Sequence, residues 1–352
     1  MKGLIITREE SDALRSLAQN QIISLLPVAN RSILEYQVDL FARCGIKDIF
    51  IIVTRGVEED IENRLTMRQD INYQVIQGKK LEANKELNQV FTANPVVALL
   101  GPLLTDIDLV RVIGFHRGRG SSATLILRSV WQQPHRNLVI TDNQGRVTGV
   151  LPQVVAGGQI ACTIGSLYIL EPPFSRSAID MLLAGKEEDI CPHLLATGFP
   201  VYGFFSEEYW LQVKDPATYL QANRDFLFGL LRIKPSGKQV APGIWLGKDT
   251  KIAGNVKLES PVIIGDGVEL KEGVRVGESV LGAETCIDKG SVVIGSVLQE
   301  RCYVGKEVRA KGIILGECTI VANGAVLDPG VFLSPHSVIS RGSLLGGPGL
   351  SL

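Results

Sequence analysis

No run of about 18 apolar residues occurs in the 352-residue chain, which argues against a membrane-spanning helix. No charged-then-apolar leader stands at the N-terminus, so no secretory segment is expected. Neither sign of charge dominates. The 36 Lys and Arg face 37 Asp and Glu, which gives no pull toward nucleic acid or an anionic membrane. The six cysteines, Cys44, Cys162, Cys191, Cys286, Cys302 and Cys318, form no C-x-x-C pair and no regular framework. Reduced thiols serving as small core residues in a cytoplasmic protein are therefore expected. His116, His135 and His193 stand apart without ligand spacing such as H-x-x-x-H, so surface or core roles are expected for them.

What is present is apolar and rich in glycine: 45% hydrophobic residues and 37 Gly fit a folded chain of two domains. Up to about residue 230, short apolar runs at 3–6, 48–53, 73–76, 96–100, 123–127 and 166–170 read as strands. Residues 33–44 and 81–91 carry helical spacing between them. Continuous apolar strands alternating with helices predict a mostly parallel sheet covered on both faces, a Rossmann-like α/β domain. In such sheets ligands sit beyond the carboxyl ends of the strands.

From about Ala241 the pattern changes. Leu246, Ile252, Leu258, Ile264, Leu270 and Val276 fall six residues apart. After five-residue steps the series resumes at Leu281, Ile287 and Val293, then at Leu298, Val304 and Ala310. It closes with Leu315, Val321, Leu327, Leu333 and Ile339. Gly often follows the aliphatic position, and a small or β-branched residue falls four places after it. The pattern resembles the hexapeptide repeat of the left-handed parallel β-helix, in which three short strands make one coil and stacked coils bury an aliphatic column on each side. The expected organisation is an α/β domain over 1–232, a linker over 233–243, the β-helix over 244–342 and a tail over 343–352.

The N-terminal framing adds a family. The apolar strand MKGLIIT and the later LLPVANRSILEY resemble the opening of the sugar-phosphate nucleotidyltransferases, such as mannose-1-phosphate guanylyltransferases. That family pairs its catalytic domain with a left-handed β-helix, so the resemblance covers nearly the whole chain. Its phosphate loop, A-G-G-x-G-T-R-L-x-P-L, is changed here. The loop glycines align with Arg8, Glu9 and Ser11, the Thr-Arg pair with Asp12 and Ala13, and the lysine of K-P-x-L-P-V with Ile23. A phosphate cradle needs glycines that let the backbone approach the anion, and fixed cations to offset its charge. Glu9, Glu10 and Asp12 bring carboxylates instead.

The remaining family positions have changed as well. The stretch ALLGPLLTDIDL matches V-L-N-G-D-x-L-T-D-I-D-L, with Pro102 where the first magnesium carboxylate stands. WLQVKDP matches W-x-D-x-G-T-P with Gln212 at the second carboxylate. The base-reading G-T-A is Leu81-Glu82-Ala83, and E-K-P becomes Leu151-Pro152-Gln153 after the preserved turn DNQGRVTG. N-x-G-x-Y is Ile164-Gly165-Ser166-Leu167-Tyr168. Asp106 and Asp108 are alternative metal candidates, but the plainer expectation is that they cap the following helix.

Phosphoryl transfer depends on positioning and on electrostatic stabilisation by cations and metal, and each lost element typically costs about a hundredfold or more. The resemblance therefore implies a catalytically inactive homologue, with no cofactor; magnesium would belong only to residual activity. Such a protein is expected to act as a regulatory or scaffolding subunit, as a homo-oligomer or with an active paralogue through the β-helix. A nucleotide sugar remains a possible ligand. One alternative is a divergent active enzyme with a rebuilt cleft. Another is a hexapeptide acyltransferase, whose general base would be His336, the one histidine of the repeats.

Overall fold

The computed structural model describes residues 1–7, 12–18, 22–53, 56–66, 68–78, 85–129, 138–151, 162–172 and 174–346. The chain forms two compact units, one of Met1–Arg8 with Glu35–Trp210 and one of Glu9–Leu34 with Leu211–Leu352.

In the first unit the apolar runs become the strands Lys2–Ile6, Asp48–Val53, Asn72–Gln77, Val96–Leu100, Ala123–Ser129 and Cys162–Leu170. Lys2–Ile6 lies parallel between Asp48–Val53 and Val96–Leu100, and Asn72–Gln77 extends that parallel set. Cys162–Leu170 runs antiparallel to Val96–Leu100 and to Ala123–Ser129, so the sheet is mixed but mostly parallel. The strand Val201–Phe205, which the sequence pattern did not expose, adds parallel to Ala123–Ser129. Its free edge is blunted by the Asp142–Arg146 turn, where Gly203 N–H donates to the Gly145 carbonyl at 2.8 Å. Every residue of Val96–Leu100 is buried, as a central strand covered on both faces requires. Leu4, Ile6, Ile52 and Phe91 join it in the core, with Phe91 edge-on to Phe50 at a ring separation of 5.2 Å.

The second unit carries the left-handed β-helix. Its strands stack in parallel on three sides. Ile287 pairs with Val304, and Val304 with Val321, an advance of 17 residues each time. Val321 pairs with Ile339, 18 residues on. The fourteen predicted inward positions from Ile264 to Ile339 are all buried, and Leu246, Ile252 and Leu258 pack partly buried against them. Each Leu, Ile or Val among them contributes about 1.5–3 kcal/mol when fully removed from water. From Val262 to Val331 the residues four places on are buried too, and their hydroxyls tie the coils together. Thr285 Oγ1 donates to the Gln299 carbonyl at 3.1 Å and Ser291 Oγ to that of Gly305 at 2.6 Å. At Gly316 a Cβ would lie 2.4 Å from the Pro335 nitrogen, so the glycine after an aliphatic position is what lets successive coils close up.

The same unit includes the 22–34 segment. Its strands Pro27–Val28 and Arg31–Ser32 turn through Ala29 and Asn30, both with positive φ (49° and 65°). Two such residues make the tight turn that matches strand twist, and alanine adopts it only against a steric cost. The turn is held from the helix Pro216–Leu227, whose Asn223 Oδ1 accepts the Ala29 N–H at 2.9 Å. Asn30 Nδ2 donates to the Leu281 carbonyl of the β-helix at 2.9 Å. The helix itself begins in a capping box at Asp215 and Thr218, with Pro216 at its first turn.

No cysteine is paired; Cys162, Cys191 and Cys302 are buried, whereas Cys44, Cys286 and Cys318 are half-buried. Burial pushes the thiols of Cys191 and Cys302 up to about 12. Thiolate is the reacting form, so brief alkylation of the native protein should leave Cys191 and Cys302 unlabelled until denaturant is added. Mass spectrometry showing either of them labelled in the native protein would refute that burial. Among the described residues, no helix is long and apolar enough to cross a membrane.

Candidate functional site

The carboxyl ends of the parallel strands form the place where this sheet would receive a ligand. Thr7 follows the first strand, and its N–H and Oγ1 both donate to the Ile52 carbonyl, at 2.9 and 3.1 Å. Gly101 follows Val96–Leu100 with φ 69°, and its N–H donates to the Ile6 carbonyl at 2.9 Å. The strand ends are thus laced to one another. Pro102 comes next and is buried, with Leu100, Leu103 and Leu104 each 1% exposed around it in sequence.

The turn around Pro102 is braced by Gln37, a residue the sequence reading passed over. It lies on the helix Ile33–Arg43, is 2% exposed, and its Nε2 donates to the carbonyls of Gly101 at 2.8 Å and Leu103 at 3.1 Å. Among the described residues its Oε1 has no hydrogen-bond partner. The signal was available in the helix spacing. Gln37 falls four residues from Ile33 and from Phe41, on the buried stripe, where a polar side chain needs a hydrogen-bonding purpose.

The other predicted positions fall as follows. Leu151 ends the strand Val147–Leu151 and is half-buried; Pro152 and Gln153 lie outside the described residues. So do Arg8, Glu9, Ser11 and the base-reading Leu81–Ala83 stretch, residues 81–83. Asp12 and Ala13 open the helix Asp12–Ala18. Ile23, at the lysine position, is buried in the short 3-10 turn Ile23–Leu25 of the second unit, and Gln212 is half-buried at the end of Trp210–Gln212. Gly165, at the variable position after Ile164, is fixed by packing: a Cβ there would lie 2.5 Å from the Trp210 ring. The preserved turn is an Asx turn, in which Asp142 Oδ1 accepts the N–H groups of Gln144 and Arg146, each at 2.9 Å.

The acidic residues beyond Pro102 have separate roles. Asp108 caps the helix Leu109–Gly118, accepting the N–H groups of Val110 at 2.9 Å and Arg111 at 3.3 Å. Asp106 departs from the expected cap: it accepts the Tyr209 N–H at 2.8 Å instead. Nearby, the Ser206 hydroxyl holds the Glu208 carboxyl below the usual carboxylate range, and Arg111 pairs with it at 3.1 Å. His116 is buried, with Nδ1 2.8 Å from Thr124 Oγ1 and Nε2 3.0 Å from Glu171 Oε1. His193 Nε2 lies 3.1 Å from Ser177 Oγ. His336 is exposed at a β-helix corner with φ 60°.

Magnesium wants several oxygen ligands in octahedral geometry. Pro102 offers no side-chain oxygen, and Asp106 and Asp108 are engaged in holding backbone N–H groups. Among the described residues no group of three His, Cys, Asp or Glu side chains is placed to hold a metal ion. The described residues of this site do not fit the ion that the resemblance implies.

Comparison with known proteins agrees with the architecture. A family model described as the GMPPB C-terminal domain matches residues 240–345. A UTP–glucose-1-phosphate uridylyltransferase from Synechocystis is 26% identical over 93% of this chain and 90% of its own length. Mannose-1-phosphate guanylyltransferase 1 of Arabidopsis thaliana is 22% identical, covering 98% of both chains. Over nearly its whole length the chain is similar to sugar-phosphate nucleotidyltransferases. The bifunctional protein GlmU of Pelobacter propionicus, 24% identical over 85% of this chain and 71% of its own, shares the likeness. Pro102 and Gln212 stand where the resemblance places that family's two magnesium carboxylates.

Proposed function

We propose that the protein is a catalytically inactive, cytoplasmic member of this family that acts as a regulatory or scaffolding subunit. It would assemble with itself or with an active paralogue through the β-helix. The observation that carries the reading is Pro102, buried at the end of the central strand where a metal carboxylate belongs, in a turn locked by Gln37. Among the described residues, the end of the central strand at Pro102 offers no carboxylate to hold a metal ion against the charge of a transferring phosphoryl group.

Support for assembly comes from one side of the β-helix. Tyr303, Ile320 and Val338 pair in successive coils with their side chains 39%, 43% and 68% exposed. Neighbouring strands lie about 4.8 Å apart, so these three make a continuous outward apolar column.

The test combines turnover and size. Full-length protein, magnesium, a panel of nucleoside triphosphates and sugar 1-phosphates should give no pyrophosphate above background. Light scattering should show an oligomer, or a complex with a co-purified paralogue, that Ile320→Asp with Val338→Asp disperses. Turnover at the ordinary enzymic scale of about 1 per second or faster would overturn inactivity. A monomer that captures neither a second copy nor a paralogue would overturn assembly.

A further inference from the structure

The second unit holds a groove of about 350 Å³ that none of the chemistry above uses. One wall is the helix Pro216–Leu227, presenting Leu220, Arg224 and Leu227. The other is a β-helix corner at which Glu278, Gly295 and Gly312 recur 17 residues apart, with φ of 48°, 61° and 60°. Glu278 shows that a side chain can occupy this backbone conformation. At Gly295 a Cβ would meet nothing nearer than 3.9 Å, so the bare corner leaves the groove open at that level.

The lining is two-natured. Leu220, Leu227 and Ile294 are aliphatic, whereas Arg224 and Lys311 bring two cations and Glu278 one carboxylate. Among the described residues neither cation forms an ion pair. The Arg224 guanidinium stands 5.6 Å from the Phe228 ring centroid, a contact that restrains its planar fork. A guanidinium fork matches two oxygens of a phosphate, and a nearby ammonium adds charge without fixing direction. The carboxylate repels a second anionic group but accepts hydroxyl donors. The volume lies within the range of small-molecule sites, about 300–1,000 Å³.

We infer that this groove binds a small phosphate monoester, its phosphate held by Arg224 and Lys311, its ring against the aliphatic wall and its hydroxyls toward Glu278. Nucleotides and phosphosugars share that chemistry. The inference concerns binding in the β-helix unit and stands whether or not the first unit catalyses.

Isothermal titration of the full chain without magnesium tests it, using AMP, GMP, glucose 6-phosphate and inorganic phosphate as separate probes. One saturable site per chain is expected for at least one ester, with inorganic phosphate weaker. Saturation by AMP or GMP alone identifies the ring as a base; saturation by glucose 6-phosphate alone identifies a sugar. Arg224→Gln with Lys311→Gln should lower affinity by about a hundredfold or more, the worth of two charge-assisted contacts. Leu220→Trp, which fills the groove and keeps both cations, should also abolish binding; unliganded melting curves establish that each variant folds. No saturation by any ester at millimolar concentration, or binding that survives both variants, overturns the inference.

Discussion

Tyr219→Ala is expected to destabilise the second unit by about 3–5 kcal/mol, the usual cost of emptying a large aromatic site. Tyr219 is fully buried on the helix Pro216–Leu227. Its hydroxyl donates to the Pro27 carbonyl at 2.6 Å and lies 3.4 Å from Gln299 Nε2 of the β-helix. Burial raises its phenol well above the usual value, so the group stays neutral and donating at any physiological pH. Removing it leaves a cavity and deprives the hairpin carbonyl of its donor. Tyr219→Phe keeps the ring and should cost only about 1–2 kcal/mol, the hydrogen-bonding part. Denaturant unfolding measures the loss. Hydrogen exchange should also rise over residues 22–34 and at Ala29, because Asn223, one turn along the same helix, holds that N–H. A loss below about 1 kcal/mol for the alanine variant would show that the segment is held by other means.

On the proposed inactive reading, Pro102→Asp, which supplies the carboxylate that the resemblance implies, should not confer nucleotidyl transfer and should destabilise the first unit by about 3–5 kcal/mol, the usual cost of an uncompensated buried charge. The position is buried, its flanking carbonyls are already taken by Gln37, and the two acids that follow are committed to backbone N–H groups. The penalty has a signed pH dependence. Burial raises the folded-state pKa of the new carboxyl above its unfolded value, so unfolding is favoured once the unfolded chain ionises. Relative to the parent, the variant should therefore recover stability as pH falls toward 4 and lose it progressively as pH rises to 8. Denaturation midpoints of the two proteins at both pH values measure this. Magnesium-dependent pyrophosphate release by Pro102→Asp would instead show that a single ligand had been missing.

The two halves of the chain were legible to different depths. The β-helix could be read residue by residue, because a side chain six positions on occupies the next side of the same coil. Spacing alone therefore names the buried column from Ile264 to Ile339. The five-residue steps likewise foretold the 17-residue coils at Ile287, Val304 and Val321. In the first unit the all-apolar strands were plain, since central parallel strands cannot alternate. Val201–Phe205 and the Leu138–Thr141 hairpin strand were not, because edge and antiparallel strands carry mixed, shorter patterns.

By itself the sequence determined the architecture, the family likeness and which side chains stand at the positions compared, because each is carried by residue identity at a fixed spacing. Only the tertiary structure decided what those side chains had become. It braced the turn around Pro102 with Gln37, divided Asp106 from Asp108 in function, and bound residues 22–34 to the Pro216–Leu227 helix through Tyr219 and Asn223, nearly two hundred positions away. No spacing rule reaches across such a separation. A buried donor takes whatever acceptor the packed chain brings within about 3 Å, and packing depends on every element at once.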